Sequence, residues 1–334
     1  MKATETLIVG AGVIGLTLAY ELLKRGQPVR VLEQNRSSEG ATRAAAGMLA
    51  TDHELIPALH QLAAASRQLY PDLVRELFNE TGIDSGYKEN PFRLIRADGD
   101  IRFASVGQID PVQLTRSLRH AIKARGGVIE EQTMVTGLHR AGATVVGVAT
   151  SNGKREAGNV VVASGRGSEA LLATSGVEIA TVPVKGECLA VRLPGHVLTE
   201  TLFSDDVYLV PKFDGRIIIG ATERIGDETT GVSVSGIEHL LQAAARLFPA
   251  IREAEIVDIW SGIRPQTADG LPYLGQVPGV GHLFVATGHH RHGILLAPIT
   301  ASVLADEVTG ITPKYELRPF SLHESRRNTN ATHH

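Results

Sequence analysis

Residues 6–33 restrict the fold more than any other stretch of this chain. An apolar run over 7–9 meets the turn Gly10-Ala11-Gly12-Val13-Ile14-Gly15. A mostly apolar segment then runs to Lys24-Arg25-Gly26, and a second apolar run over 29–32 stops at Glu33. The order is strand, tight turn, helix, strand, with an acid at the end of the second strand. A bare GxGxxG is a weak signal. Here the flanking strands are in place, and Glu33 stands 18 residues beyond Gly15, near the spacing of a ribose-binding carboxylate. Gly10 permits the tight turn, Gly12 lets a pyrophosphate approach the backbone, and Gly15 lets the helix pack near the strand. The helix N-terminus offers free N–H groups and partial positive charge to phosphates. Glu33 suits a ribose 2′-hydroxyl and would repel a 2′-phosphate, which argues against NADP. A βαβ unit that binds nothing is the bland alternative, and it does not account for all these elements being in register.

The rest of the composition narrows the class. A net charge of −3 over 334 residues gives no basic surface for a nucleic acid. No uninterrupted apolar run is long enough to span a bilayer. Cys188 is the single cysteine, so no intramolecular disulfide forms and a reducing cytosol is the expected compartment. It lies in a strand-like apolar run and reads as a small buried hydrophobe. Met1 to Glu5 lead directly into the first strand, leaving no room for a signal peptide. The polar segment 323–334 is expected to be a disordered tail.

Periodicity places the remaining elements. Apolar residues at mixed three and four spacing over 59–81 predict a helix closed by Gly82, with Pro71 expected to kink or split it. Residues 91–105 read as strands around Asp98-Gly99. Asp110-Pro111-Val112-Gln113 is a helix start, with Asp110 as N-cap, Pro111 at the first position and Gln113 able to complete a capping box. Residues 144–150 and 155–162 read as a meander, and 160–162 as a buried parallel strand. Strands are expected over 181–192, 207–210, 216–221, 255–263 and 282–286, and helices over 237–247 and from Gly293 to about Val308.

Four more stretches carry chemistry. They are Ala44-Ala45-Ala46-Gly47-Met48-Leu49; Tyr208-Leu209-Val210-Pro211 with Gly220-Ala221-Thr222-Glu223; Gly262-Ile263-Arg264-Pro265 with Asp269-Gly270-Leu271-Pro272; and Gly288-His289-His290-Arg291-His292-Gly293-Ile294-Leu295-Leu296-Ala297-Pro298. Together they resemble the glycine oxidases of thiamine biosynthesis, in the flavin-dependent D-amino-acid oxidase superfamily. The resemblance covers nearly the whole chain, and GHxRxGILLAP is its most specific part. It implies non-covalent FAD, oxidation of a small amino acid by hydride transfer, and reoxidation by O2 to give hydrogen peroxide.

Site residues follow from the same resemblance. Arg264 resembles the arginine that clamps a substrate carboxylate, a task suited to a planar, permanently charged guanidinium. Tyr208 resembles the tyrosine that meets the same carboxylate, and Arg291 a second arginine of the substrate site. Met48 matches a position near flavin and substrate, and a core role is compatible with that. Glu223 either tunes the pocket or pairs with a surface cation. Implied cofactor contacts include Gly10, Gly12, Val13, Ile14, Gly15, Glu33, Gln34, Ala41, Thr42, Ala46, Gly47, Met48, Val135 and Gly165. The last glycine-rich turn adds Gly288, His289, His290, Arg291, His292, Gly293, Ile294 and Leu295. Its helix N-terminus is expected to face the flavin pyrimidine edge, where negative charge builds on reduction. A metal reading of the three histidines is disfavoured, since no cysteine or patterned carboxylate completes a ligand set.

Two departures from the family pattern stand out. Residues 87–108 are shorter than usual, which affects the pocket cover, and the turn Ser164-Gly165-Arg166-Gly167 carries Arg166 where a small residue is common. The expected architecture is α/β: an FAD-binding, glutathione-reductase-like βαβ Rossmann-type domain (1–82, 106–180 and 265–322) and a mixed-sheet substrate domain (83–105 and 181–264). The expected activity is FAD-dependent oxidation of glycine or another small amino acid or amine, with O2 as co-substrate, in the cytoplasm. No membrane segment or nucleic acid takes part, and the sequence leaves room for a homo-oligomer. A broader D-amino-acid oxidase, a flavin amino-acid dehydrogenase and a non-catalytic FAD-binding subunit are the rivals. The carboxylate clamp argues against the last.

Overall fold

The computed structural model of the protein describes residues 5–51, 55–195, 198–323 and 326. Two sheets organise the fold. The first has six strands in the order Tyr273–Gln276, Leu283–Thr287, Asn159–Val162, Thr6–Val9, Val29–Leu32, Val128–Glu130. All its pairings are parallel except that of Tyr273–Gln276 with Leu283–Thr287. Thr6–Val9 is flanked by Asn159–Val162 and Val29–Leu32, so the chain order reverses there. Ligands of open parallel sheets bind at that switch point.

The alternation of side chains assigns each face of the first sheet. Ile8, Val31 and Val161 point into a core shared with helices Val13–Lys24, His60–Thr81, Pro111–Ala124 and Gly293–Val308. Leu7, Val9 and Val160 point the other way, onto a three-stranded meander of Val135–Ala141, Thr144–Thr150 and Gly153–Glu156. With both faces covered, the central strands Thr6–Val9, Asn159–Val162 and Leu283–Thr287 are largely apolar, and charges such as Arg30 and Glu130 fall on the outer strands, where they pair.

The second sheet has nine strands and is mostly antiparallel. Its path is Arg224–Ile225, Thr181–Arg192, Arg216–Gly220, Tyr208–Pro211, Thr201–Ser204, Lys88–Ile95, Ile101–Gln108, Met48–Leu49, and the long strand Glu255–Thr267 pairs with Thr181–Arg192. Helix Val234–Leu247 packs its apolar side on one face. Met48–Leu49 ties the segment after the first βαβ unit to the edge of this sheet. Gln266, near the end of the long strand, bridges to His289.

Local signals explain most boundaries. The Asp110 carboxylate accepts from the N–H groups of Val112 (2.8 Å) and Gln113 (3.0 Å), with Pro111 at the first helical position. Gly82 ends its helix at φ 68°. Ser233 starts helix Val234–Leu247 by accepting from Gly236 N–H at 3.0 Å, three residues before the apolar periodicity shows it. Two expectations need correction. Of the two outcomes expected at Pro71, a kink or a split, the split does not occur, and His60–Thr81 is one continuous helix. Pro71 lies on the exposed side, where water can serve the carbonyl that loses its N–H partner. The tail is fixed at Arg326, which is 7% exposed, pairs with Asp269 at 2.7 Å and lies 4.3 Å over the Tyr273 ring. The remainder of 323–334, apart from His323, lies outside the described residues.

Candidate active site

A cavity of about 1050 Å³ opens between the two sheets. Every candidate residue read from the sequence lines it, except Gly15. Gly15 serves packing: a Cβ there would come within 2.0 Å of the Gly10 carbonyl oxygen.

On the first-sheet side, the glycine-rich turn is held by its neighbours. Gly10 has φ 107°, and a Cβ would meet the Ala163 carbonyl at 2.5 Å, so no other residue fits. The Ala11 N–H donates to Glu33 Oε2 at 2.8 Å, and the Asn35 N–H to Oε1 at 3.0 Å. The carboxylate read as a ribose partner therefore also fixes the turn. Thr42 Oγ1 accepts from Val13 N–H at 3.0 Å, taking one of the free donors at the start of helix Val13–Lys24. Gly12, at the N-cap, offers no side-chain cap of its own. The turn, the acid and the open helix end together form a cradle for an anionic dinucleotide.

On the second-sheet side, register brings the chemistry together. Tyr208 pairs with Gly220, Gly220 with Cys188, and Cys188 with Trp260. Because Gly220 has no side chain, the Tyr208 hydroxyl reaches across it to Cys188 Sγ at 3.6 Å. Burial pushes the Tyr208 phenol well above its ordinary value, Cys188 adds to this, and the Arg264 charge works against it. The hydroxyl therefore stays a donor. Burial raises the Cys188 thiol too, so it is no thiolate nucleophile.

Arg264 stands opposite Val184 on the paired strand, and its guanidinium lies over Gly186. It is half-buried and lines the cavity. Among the described residues it makes no hydrogen bond or ion pair. A partly desolvated cation without a counter-charge is costly, and a ligand carboxylate would supply one.

The last turn carries the other cation. Arg291 pairs with Glu223, and His290 Nε2 lies 3.9 Å from the same carboxylate. Of the two readings of Glu223, the pairing is realised, with a cavity cation. His289 Nε2 lies 3.2 Å from Thr300 Oγ1. Burial lowers both His289 and His290 to about 3, the latter helped by Arg291, so both rings are neutral. Among the described residues, no group of three or more histidine, cysteine or acidic side chains could hold a metal. Helix Gly293–Val308 starts with no side-chain cap, and Gly293, Ile294 and Leu295 line the cavity. Its open N–H groups complete a second anion-seeking end.

The sequence did not mark Gly186, Cys188 or Phe203 as cavity residues. Gly186 and Cys188 alternate on one strand face, a pattern that acquires meaning only once Arg264 and Tyr208 are paired beside them. Arg166, the unusual turn residue, meets Glu228 of the second-sheet side at 3.2 Å, in an exposed pair at the cavity.

Comparison with known proteins fits this geometry. The family model for DAO, FAD dependent oxidoreductase, matches residues 5–100 and 90–307. The chain belongs to this family of FAD-dependent oxidoreductases. It is 37% identical to a glycine oxidase of Geobacillus kaustophilus, over 95% of this chain and 96% of that one. The crystal structure of glycine oxidase from that organism superposes with a TM-score of 0.93 at 36% identity, covering 97% of this chain and 99% of that one. A bifunctional ThiO/ThiG protein of Synechocystis is 35% identical over 91% of this chain and 51% of its own length. As an FAD-dependent oxidoreductase, the chain has residues that suit the cofactor. The Gly10 turn, the Glu33 carboxylate and the open end of Val13–Lys24 fit its ADP part, and the cavity continues to the second sheet. No helix among the described residues is long and apolar enough to cross a membrane.

Proposed function

We propose that this protein oxidatively deaminates glycine and other small amino acids. The observation that carries the reading is the unpaired Arg264 guanidinium in the FAD cavity, beside the donor hydroxyl of Tyr208. When bound, FAD supplies a two-electron acceptor that O2 regenerates with release of hydrogen peroxide. Arg264 takes the substrate carboxylate in a planar, bidentate pairing, and Tyr208 adds a hydrogen bond. These contacts fix the α-carbon relative to the cofactor, and positioning of this kind lowers the barrier without a protein base. The substrate reacts with its amine neutral and leaves as the imine. The open end of Gly293–Val308 would offer a positive field to a bound flavin, where negative charge builds on reduction. The FAD part comprises 1–82, 106–180 and 265–322, and the substrate part 83–105 and 181–264. The similarity to glycine oxidases and to ThiO/ThiG proteins supports a role in thiamine synthesis, and the single cysteine supports a cytoplasmic setting.

The test is a panel of glycine, sarcosine and D-alanine offered to the yellow holoenzyme without oxygen. Glycine is expected to bleach the flavin, and peroxide is expected in air. Failure of every amine to bleach it overturns the proposal. Bleaching without peroxide favours a dehydrogenase, and a preference for bulkier D-amino acids favours the broader oxidase. Arg264→Ala should raise KM about 100-fold, the equivalent of about 3 kcal/mol for a lost charge-assisted pair, with flavin retained. Loss of flavin instead would remove Arg264 from the substrate role.

A further inference from the structure

The last helix, Gly293–Val308, contains Pro298, which has no N–H. The carbonyl of Ile294, four residues earlier, therefore lacks its helical donor. Ile294 is 5% exposed, so bulk water does not reach it freely. The donor comes from another helix: the hydroxyl of Tyr70, on His60–Thr81, donates to the Ile294 carbonyl. One turn before Tyr70 on the same face, Ser66 Oγ accepts from the Ile299 N–H at 3.2 Å. Both side chains have no exposed surface. They bracket the proline, one on each side. Burial raises the Tyr70 phenol above its ordinary value, so its proton stays in place, and the ring stacks on Tyr87 at 6.1 Å with a 2° interplanar angle.

The segment they hold is the first turn of the helix, whose Gly293, Ile294 and Leu295 line the cavity. The field of a helix end falls off within one turn, so a small tilt changes what a ligand there feels. We propose that Tyr70 and Ser66 are positioning residues that aim this helix end at the flavin and so raise its electron affinity. The inference rests on the proposed function, in which that helix end faces the bound flavin.

The test compares holoenzymes of wild type, Tyr70→Phe and Ser66→Ala by flavin midpoint potential and by the dissociation constant for sulfite, an anion whose addition to flavin is favoured by positive field. Tyr70→Phe is expected to weaken sulfite binding about tenfold and to lower the potential by about 30 mV, the two-electron equivalent of tenfold. Ser66→Ala should shift both in the same direction and serves alone if Tyr70→Phe does not fold. If the wild type takes up no sulfite, the helix placement itself fails. If the wild type binds sulfite and both variants match it in affinity and potential while melting lower, Tyr70 and Ser66 are merely structural and the inference is overturned.

Discussion

Arg264 is usable because of what its neighbour lacks. Gly186 lies beneath the guanidinium, and a Cβ there would sit 2.5 Å from Nη2 and 2.8 Å from Cζ. The obstacle is the end of a flexible side chain, so the fold can survive a Gly186→Ala substitution while the guanidinium is displaced. Misplacement of a positioning group by about 1 Å costs up to about 100-fold in rate. Gly186→Ala is therefore expected to raise KM for glycine by about one order of magnitude or more, with flavin absorbance unchanged. Steady-state kinetics alongside a flavin spectrum checks this, and an unaltered KM would mean that Arg264 has room to spare. Gly220 plays the same part for Tyr208, since a Cβ would meet the hydroxyl at 2.6 Å and Cys188 Sγ at 2.7 Å. Gly220 stands in one of the stretches singled out in the sequence, without this role, and Gly186 stands in none. Arg264 and Tyr208 were legible there through their motifs, but the small residues that make them usable emerge only from strand register.

At the scale of elements, strand Thr181–Arg192 separates two tasks by alternation. Gly186 and Cys188 face the cavity. Lys185 and Glu187, 3% and 0% exposed, form a buried ion pair at 3.4 Å. Glu187 accepts from the Ser233 N–H at 2.8 Å, and its backbone N–H receives support from Thr222 Oγ1 at 2.9 Å. It thereby anchors both ends of the 222–233 segment that carries Glu223 and Glu228 into the cavity. Burial alone would raise its carboxyl, but the Ser233 hydrogen bonds, the Arg224 charge and the Lys185 hydrogen bond outweigh that and hold it below the ordinary carboxylate range. A carboxylate depressed in the fold stabilises above its unfolded value of 4.5, and the contribution is lost as pH falls through the lower folded value. Glu187→Gln should cost about 2 kcal/mol at pH 7, because Lys185 loses its buried counter-charge and keeps the more exposed Asp227 at 3.6 Å and Thr229 Oγ1 at 2.8 Å. The deficit should shrink as the pH falls below about 4.5. Urea unfolding at pH 7 and pH 4 measures both, and an equal deficit at the two pH values would exclude a charge effect. Many elements were readable from local chemistry, as with Asp110 and Gly82. The split at Pro71 does not occur, because the helix continues on the hydrogen bonds around it, and the place of Arg326 was not legible because its partner Asp269 lies 57 residues away.

The whole molecule shows how widely separated residues become one site. The first 33 residues announce a dinucleotide, yet Tyr208, Arg264 and Arg291 join them only because two sheets close on one cavity. The closing turn has a consequence for the stability of the entire fold. His289 is 6% exposed and His290 is also largely enclosed, with burial lowering both from 6.5 to about 3. Below pH 6.5 the unfolded chain binds protons that the folded chain refuses, so stability increases with pH between about 3 and 6.5 and is lost on acidification. Between pH 6.5 and 4.5, before most carboxylates titrate, each such histidine should remove about 2 kcal/mol, at 1.36 kcal/mol per unit of pKa difference. The turn lines the cavity, so flavin release should accompany the loss. Urea midpoints of the holoenzyme across this range, followed by flavin and tryptophan fluorescence, should fall steadily on acidification. His290→Gln should flatten the profile, because glutamine keeps a polar side chain there without a proton to refuse. A midpoint constant from pH 6.5 to 4.5 would mean that the rings protonate in the folded state, and the last turn would then carry positive charge beside Arg291 rather than neutral donors.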